Sequence, residues 1–348
     1  MSSEILSIRK LAAAPRILII YTGGTMGMVY QGSQLVTSDI SSMLKTLPEL
    51  QRLERNIDLL AWEQPLDSAN MKPGHWQKLA RQIYEYDEQY DGFVVIHGTD
   101  TMAWTASALS FMLEGLKKPI IFTGAQLPMN ELRSDARDNL VNALYLAGEQ
   151  VNGEPVLQEA AIFFDRFLWR GNRSRKVQSN HFDAFMSENY PALAEVGVGI
   201  EFNKSVLYRT DKSPRLLDEI DARVALIRIY PGITREQVQA VLSIPDLKGC
   251  VLETYGSGNM PTDVWLLQAL KDASSKGIVL LNVSQCVGGM VKQGKYATSE
   301  ELSQMGVVGG EDLTTEAAMV KLMFVLANKP YRDEVKKSLR ISLRGEMS

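Results

Sequence analysis

The chain has 348 residues, more than one hydrophobic core accommodates, so two domains are expected. Its 45% hydrophobic and 22% charged content is ordinary for a globular protein. The formal net charge of -4 disfavours a nucleic acid or an anionic membrane as a partner held by bulk electrostatics, which leaves small molecules and other proteins.

No apolar run has the length of a membrane span, and the N-terminal residues lack the apolar core and cleavage pattern of a signal peptide. We therefore expect a cytoplasmic protein. Cys250 and Cys286 each fall in an apolar, strand-like run, which predicts two reduced, buried thiols. The three histidines are well separated and lack metal-ligand spacing, so we expect no metal site.

Apolar runs alternate with helix-like windows from Arg16 onward, the pattern of a mostly parallel sheet with helices on both faces. The predicted strands of the first half are Arg16 to Tyr21, Ile57 to Trp62, Phe93 to Ile96, Ile120 to Phe122 and Ala160 to Phe164. The predicted helices run from Pro73 to about Tyr90, from Met102 to Leu113, and onward from about Ser134.

The periodicity breaks down between about Asn180 and Ala222, where residues 208–215 are charged and rich in turn formers. We expect a larger N-terminal α/β domain over 1–205, a linker over 206–222, and a smaller flavodoxin-like βα domain over 223–348. The second domain is predicted to have strands at Val224 to Tyr230, Cys250 to Thr254 and Gly277 to Val283, and helices from about Thr234, Pro261, Thr314 and Tyr331.

Two predicted strands of the first domain end in a glycine-threonine turn. Thr22-Gly-Gly-Thr25 follows the first strand, and His97-Gly-Thr-Asp100 follows the third. Ligands bind at the carboxyl edge of an open parallel sheet, and glycine lets the backbone approach a substrate closely. Thr25 and Thr99 are therefore candidate nucleophiles, although a threonine hydroxyl needs an activating base. The structural alternatives are a β-turn role for Thr25 and helix capping by the second turn.

The first turn also fits a different hypothesis. Thr22-x-Gly24-x-x-Gly27 matches the frame of a dinucleotide-binding loop, with threonine in place of the first glycine. The residues after Gly27 make a poor helix start, which weakens this alternative.

Two further segments carry candidate site residues. Arg170-Gly-Asn-Arg-Ser-Arg-Lys176 holds four cations; it either lines a solvated face, binds phosphate, or sends Lys176 into a relay with Asp100 and Thr99. Asp67 and Ser68 follow the second strand, where they form a loop turn or hold the ammonium and carboxylate groups of a substrate.

A glycine turn in the second domain, Tyr255-Gly-Ser-Gly-Asn259, repeats the strand-to-turn pattern. Its serine does not stand in the Gly-x-Ser-x-Gly elbow of hydrolases. The sequence also lacks the Gly-Lys-Ser/Thr motif of a phosphate loop.

Taken in order, the motifs resemble those of the bacterial-type L-asparaginases, and the cytoplasmic type I branch in particular. The segments that carry the resemblance are Thr22–Gly27, Asp91–Ala103, Arg170–Lys176 and Tyr255–Asn259, and it extends from Arg16 to Glu346. It implies hydrolysis of L-asparagine to L-aspartate and ammonia through a covalent acyl-enzyme, with weaker or no glutaminase activity and with no cofactor.

The resemblance also implies the roles of individual residues. Thr25 matches the first catalytic threonine and nucleophile. Thr99, Asp100 and Lys176 match the second threonine and its relay, and Asp67 and Ser68 match the residues that grip the α-amino and α-carboxylate groups. This set provides the nucleophile, proton acceptor and oxyanion donors that acyl transfer requires.

Members of this family form intimate dimers, often paired into tetramers, in which the neighbouring C-terminal domain completes each site. The resemblance places Asn259 at the partner's pocket. The loop over 28–35 is shorter than in the family, and Tyr30 is the only tyrosine in it. Glu253 stands where some type I members have an arginine that binds asparagine as an activator, so we expect weak or absent activation.

A second function within the same fold is the amidase subunit of an archaeal-type tRNA-dependent amidotransferase, which hydrolyses glutamine. Those chains carry an additional domain before the first motif, whereas only residues 1–15 precede it here. We expect the asparaginase function instead.

Overall fold

The computed structural model describes residues 5–292 and 297–348. The chain divides into two compact units. The first comprises Met1–Ser187 and Pro191–Leu216, and the second comprises Glu188–Tyr190 and Leu217–Ser348. None of the helices in the described part of the chain combines the length and the apolar character needed to cross a membrane.

The first unit has the following elements. Its strands are β1 (Ile5–Arg9), β2 (Arg16–Gly23), β3 (Met28–Gln31), β4 (Gln34–Thr37), β5 (Asn56–Leu66), β6 (Gly92–Ile96), β7 (Leu113–Glu114), β8 (Ile120–Thr123), β9 (Gln150–Val151), β10 (Glu154–Pro155), β11 (Ala160–Phe164), β12 (Phe167–Arg170), β13 (Arg175–Lys176), β14 (Phe185–Met186), β15 (Ala194–Val196), β16 (Ile200–Phe202) and β17 (Arg215–Leu216). Its helices are α1 (Ile40–Thr46), α2 (Pro73–Glu85), α3 (Met102–Met112) and α4 (Ala136–Ala147).

Among the described residues, nine strands of the first unit form one sheet in the order β1-β5-β2-β6-β8-β11-β12-β15-β16. The strands from β5 to β11 are parallel to one another, whereas β1, β12, β15 and β16 are antiparallel to their neighbours. Every residue of β6, β8 and β11 is buried, as expected for parallel strands covered on both faces. The predicted mostly parallel sheet is confirmed.

The five strands predicted in the first half are all present, but several elements differ from the prediction. β5 continues to Leu66 instead of ending at Trp62, so Asp67 follows the strand directly. α2 ends at Glu85 rather than near Tyr90, and a single 3-10 turn follows it. The prediction also missed the hairpin of β3 and β4, helix α1 and the antiparallel edge strands, because these segments are too short to show a periodicity.

The second unit is a smaller βα unit, as predicted. Its strands are β18 (Val224–Arg228), β19 (Gly249–Thr254), β20 (Val279–Ser284) and β21 (Val308–Gly309), and its helices are α5 (Arg235–Leu242), α6 (Val264–Ser275), α7 (Ala297–Gln304), α8 (Thr315–Asn328) and α9 (Arg332–Leu339). Within its described residues the four strands form a parallel sheet in the order β18-β19-β20-β21. Capping explains two helix starts, since the Thr234 and Thr314 hydroxyls accept backbone N–H groups of α5 and α8.

The prediction of two buried thiols is wrong for one of them. Cys250 lies in β19 and is fully buried, and burial raises the pKa of its thiol to about 12. Cys286 is exposed, because β20 ends at Ser284 and the chain turns there towards the surface. The apolar run that precedes Cys286 therefore does not extend to it.

A buried polar network supports the carboxyl end of β6. His97 is 1% exposed; its Nδ1 lies 2.7 Å from the carbonyl oxygen of Gly98, and its Nε2 lies 2.9 Å from the Thr105 hydroxyl of α3. The same hydroxyl accepts the indole N–H of Trp76, from α2, at 3.1 Å. Because a carbonyl oxygen only accepts, Nδ1 carries a proton. Burial lowers the pKa of His97, so at neutral pH Nε2 has no proton and accepts from the Thr105 hydroxyl. The imidazole is thus neutral and ties two helices to the turn after β6.

His97 should make stability depend on pH. Burial lowers its pKa from the ordinary 6.5 to about 4. Between these values the unfolded chain binds more protons than the folded one, so the free energy of unfolding falls as the pH falls through this window, by about 3 kcal/mol in total. Urea unfolding from pH 7 to 4 should show a shallower pH dependence for His97→Asn than for wild type.

Because His181 is exposed, His181→Asn serves as the matched control and should keep the wild-type slope. Equal slopes for His97→Asn and wild type would contradict a neutral buried His97.

A fully buried ion pair fastens the C-terminal residues to α8. Lys321 Nζ lies 2.6 Å from Glu346 Oε1, with both side chains inaccessible to solvent, and also donates to the carbonyl of Ile341 at 2.7 Å. The Glu346 carboxylate accepts the backbone N–H groups of Leu343 and Arg344. Burial raises the pKa of Glu346, but the Lys321 ammonium and these N–H groups outweigh it, so the net pKa is lowered.

Removing one partner of this pair leaves the other charge buried without compensation. We expect Lys321→Met to lower the free energy of unfolding of the second unit by about 3–5 kcal/mol, measured by urea denaturation. The exposed pair of Arg166 and Glu195 provides the control, and Arg166→Met should cost about 1 kcal/mol or less. A Lys321→Met protein as stable as Arg166→Met would show that the buried pair contributes little.

Candidate active site

Three turns emerge side by side at the carboxyl edge of the first unit's sheet. β2 lies between β5 and β6, with Tyr21 opposite Ile96 on one side and Gly23 opposite Leu66 on the other. The segments that follow these strands therefore meet at one edge. These segments carry Thr25, Thr99 and the Asp67-Ser68 pair.

Glycine is required where these turns touch. Gly24 has a φ of 95°, and a Cβ there would lie 2.5 Å from the backbone nitrogen of Gly98. A Cβ on Gly98 would in turn lie 2.6 Å from the Ser68 hydroxyl oxygen. Both distances are shorter than Cβ contacts in real structures, so any other residue at either position would displace its neighbour. Thr25 follows Gly24 and Thr99 follows Gly98, so the contact brings both threonines to one place.

Thr25 opens a single 3-10 turn, Thr25–Gly27, and is partly exposed. The N–H of Gly27 donates to the Gly24 carbonyl at 3.2 Å, and the Gly27 carbonyl accepts from the backbone N–H and the hydroxyl of Ser38 at 3.0 and 2.9 Å. These bonds fasten the base of the hairpin of β3 and β4. Tyr30 lies on that hairpin opposite Leu35 and is 49% exposed.

The same geometry contradicts the dinucleotide-loop alternative. Such a loop needs the N-terminus of a helix to face the pyrophosphate. Here a three-residue turn is followed by strand β3, and the Thr22 hydroxyl is buried and donates to the carbonyl of Ile96 at 3.0 Å.

Lys176 is brought to the second threonine turn. Its Nζ donates to the Thr99 hydroxyl at 2.7 Å and to Asp100 Oδ1 at 2.8 Å. The Lys176 side chain is 18% exposed and that of Asp100 is 63% exposed. Strand β13, paired with β14, carries the lysine to this position. The three residues of the predicted relay are thus in direct contact.

The cations before Lys176 are not a uniform solvated face. Arg170 is buried and its Nε lies 2.5 Å from the buried carboxylate of Glu159. Arg173 is 3% exposed. The structure therefore separates the cations of this segment, with Arg170 in a structural ion pair and Lys176 at the threonine turn.

Asp67 and Ser68 lie beside the threonine turns. Asp67 is exposed and caps the turn Ser68–Asn70, since its Oδ1 accepts the N–H of Ala69 at 3.0 Å. Ser68 is buried, and its carbonyl accepts the Thr101 hydroxyl at 2.7 Å. This bond between two neighbouring turns was not foreseen from the sequence. The capping role of Asp67 leaves its second oxygen available for a substrate ammonium.

Asn259 lies in the second unit, whereas the other predicted site residues lie in the first. It is exposed and closes a turn in which Tyr255 and Asn259 exchange two backbone hydrogen bonds of 2.8 Å. Below the turn, the buried Asn282 amide donates to the Gly258 carbonyl at 3.3 Å and accepts the Thr254 hydroxyl at 2.7 Å.

Glu253 precedes this turn and is 4% exposed. One carboxylate oxygen lies 3.1 Å from Arg228 Nη1 of the neighbouring strand, and the other accepts the Thr315 hydroxyl. The carboxylate is therefore paired with a cation inside its own unit. Neither partner was identified from the sequence, because both lie far from Glu253 along the chain.

Taken together, the edge of the first unit's sheet holds two threonine hydroxyls, an ammonium and a carboxylate, which suits nucleophilic attack on a carbonyl carbon. The predicted roles of these residues remain predictions. Across residues 5–292 and 297–348, the structure has no group of three or more His, Cys, Asp or Glu side chains placed to hold a metal ion.

Two family models match this chain. Residues 16–208 match the model described as asparaginase, N-terminal, and residues 223–339 match the glutaminase/asparaginase C-terminal domain. A solved structure of L-asparaginase I from Vibrio cholerae superposes with a TM-score of 0.88 at 39% identity, covering 97% of this chain and 100% of that one.

Two curated relatives are equally similar in sequence but carry different names. L-asparaginase 1 of Escherichia coli strain K12 is 40% identical over 336 residues, covering 95% of this chain and 98% of the relative. The 60 kDa lysophospholipase of Mus musculus is 40% identical over 366 residues, but this chain spans only 64% of its length. Because the family models match well over half of the sequence and the similarity to L-asparaginase 1 extends over both chains, the chain belongs to the asparaginase family.

Proposed function

We propose that this protein is an L-asparaginase, which hydrolyses L-asparagine to L-aspartate and ammonia through a threonine acyl-enzyme. The observation that carries the proposal is the contact of Lys176 Nζ with both Thr99 and Asp100, at the sheet edge where the Gly24 and Gly98 contact brings Thr25. The similarity to L-asparaginase 1 of Escherichia coli supports the choice of substrate.

In the first half of the reaction the Thr25 hydroxyl attacks the side-chain amide carbon. The C–N bond breaks, the nitrogen takes up a proton and leaves as ammonia, and an ester remains on Thr25. We assign the attack to Thr25 because Thr99 is already bonded to Lys176 and Thr25 opens a partly exposed turn. Backbone N–H groups at the starts of the turns Thr25–Gly27 and Thr99–Thr101 are suited to stabilise the oxyanion.

In the second half water hydrolyses the ester. In each half of the reaction the neutral amine form of Lys176 takes up the proton of the attacking group through Thr99 and becomes an ammonium that Asp100 stabilises. The ammonium then returns the proton to the leaving group. Asp67 binds the α-ammonium group of asparagine, and Ser68 binds its α-carboxylate.

The finer features of the enzyme follow from the resemblance and remain proposals. We place it in the cytoplasm as a homodimer or a dimer of dimers, with Asn259 of each copy completing the site of the other. Tyr30, on the hairpin after Thr25, is the tyrosine available to cover the site. The reaction needs no cofactor, because hydroxyl, ammonium and carboxylate groups supply the nucleophile and the proton transfers.

Removing the reacting groups should abolish ammonia release. We expect Thr25→Val and Thr99→Val each to lower kcat/KM for L-asparagine by about 10³-fold or more, and Lys176→Met by about 10²- to 10⁴-fold. The measurement is ammonia release at several concentrations of L-asparagine.

Thr46→Val and Lys248→Met are the matched controls, because the Thr46 hydroxyl donates to carbonyl groups of its own helix and Lys248 is exposed in the second unit. Near-normal rates for both threonine variants of the site would refute the proposed acyl-enzyme. L-Glutamine, which is one methylene longer, should react about 10- to 200-fold more slowly. A preference for L-glutamine would instead point to the glutamine-hydrolysing amidase subunit of a tRNA-dependent amidotransferase.

The wild-type rate should rise hyperbolically with L-asparagine concentration. An activating second site would have to bind the carboxylate of asparagine, but Glu253 presents a like charge and holds the neighbouring Arg228 in an ion pair. Initial rates over a wide concentration range provide the measurement. A clearly sigmoidal curve would show that activation occurs despite Glu253.

A further inference from the structure

One buried hydroxyl group behind the Thr25 turn has no role in the mechanism above. Tyr21 lies on β2, four residues before Thr25, and its side chain is 1% exposed. Among the residues that the structure describes, none forms a hydrogen bond with its hydroxyl. A buried hydroxyl without a partner is costly, and a native fold rarely retains one without a function.

The Tyr21 hydroxyl lies against the backbone of the turn that carries Thr25. A Cβ on Gly27 would be 2.3 Å from this oxygen and 2.6 Å from the ring carbon that bears it. Gly27 has no positive φ, so the tyrosine, and not the backbone conformation, is what requires glycine there. The hydroxyl end of the Tyr21 side chain therefore limits how closely the turn can approach the sheet.

The turn is also restrained on the hairpin side. The Gly27 carbonyl accepts two hydrogen bonds from Ser38, and the Gly27 N–H donates to Gly24. The peptide groups of Gly27 are thus already bonded, whereas no described residue accepts a hydrogen bond from the Tyr21 hydroxyl. Burial raises the pKa of this hydroxyl to about 12, so the hydroxyl is protonated at neutral pH.

We propose that Tyr21 is a positioning residue for the Thr25 turn. Its contact with Gly27 sets the distance between the turn and the sheet. Its hydroxyl donates a hydrogen bond to the turn backbone when Thr25 moves onto the substrate carbonyl. This hydrogen bond, which is absent before attack, then stabilises Thr25 in its attacking position. This inference rests on the proposed function.

The test is Tyr21→Phe, which removes only the hydroxyl oxygen. We expect kcat for L-asparagine to fall about tenfold, the contribution of one neutral hydrogen bond made during attack, with KM changed by less than about twofold. Because the hydroxyl has no partner before attack, the melting temperature should stay the same or rise.

Tyr90→Phe is the matched control. The Tyr90 side chain is 4% exposed, lies just before β6 at the opposite edge of the sheet, and donates its hydroxyl hydrogen to Asp58 at 2.9 Å. This variant should lose thermal stability and keep the wild-type kcat. Tyr21→Phe is thus expected to lower kcat without lowering the melting temperature, and Tyr90→Phe to lower the melting temperature without lowering kcat.

Three outcomes would overturn the inference. A kcat of Tyr21→Phe within about twofold of wild type would show that the hydroxyl does not act during attack. A loss of melting temperature in Tyr21→Phe like that in Tyr90→Phe would show a structural role alone. If wild-type protein releases no ammonia from L-asparagine, the proposed function itself fails, and the inference fails with it for a different and recognisable reason.

Discussion

The contact between glycine backbones at the sheet edge is the constraint on which the candidate site depends. Gly24 lies against Gly98, and Gly98 lies against Ser68, at separations that leave no room for a Cβ atom. Thr25 follows Gly24, Thr99 follows Gly98, and Ser68 lies against Gly98. Neighbouring parallel strands lie about 4.8 Å apart, so the turns that follow three adjacent strands present their side chains close together when their backbones are in contact.

Around this contact, burial decides which polar groups serve structure and which serve chemistry. His97 is enclosed, neutral and bonded to Gly98 and Thr105, so it supports the turn and cannot act as a catalytic base from that position. Arg170 is enclosed and paired with Glu159. Lys176, a few residues further along, is partly exposed and meets Thr99 and Asp100. Lys176 thus lies in contact with both solvent and the threonine turn, whereas Arg170 and Glu159 are enclosed together.

Burial also separates the polar groups of the second unit. Two of its ion pairs include buried groups: Glu253 lies beside the largely exposed Arg228, and Lys321 lies beside Glu346, with both side chains buried. Its exposed turn ends in Asn259, supported from below by the buried amide of Asn282.

The sequence by itself determined the alternation of strands and helices, the parallel sheet of the first unit and the turns that carry the threonines, because hydrophobic periodicity and glycine turns are local features. The tertiary structure decided which groups meet. The exposure of Cys286, the hairpin after Thr25, the division of the cations between Arg170 and Lys176, and the unpaired hydroxyl of Tyr21 were all invisible in the sequence. The exposure of Cys286 depends on where β20 ends, and the hairpin is too short to show a periodicity. Whether a buried hydroxyl has a partner depends on how the surrounding segments pack. Lys176 meets Thr99 because the fold brings together residues 77 positions apart along the chain.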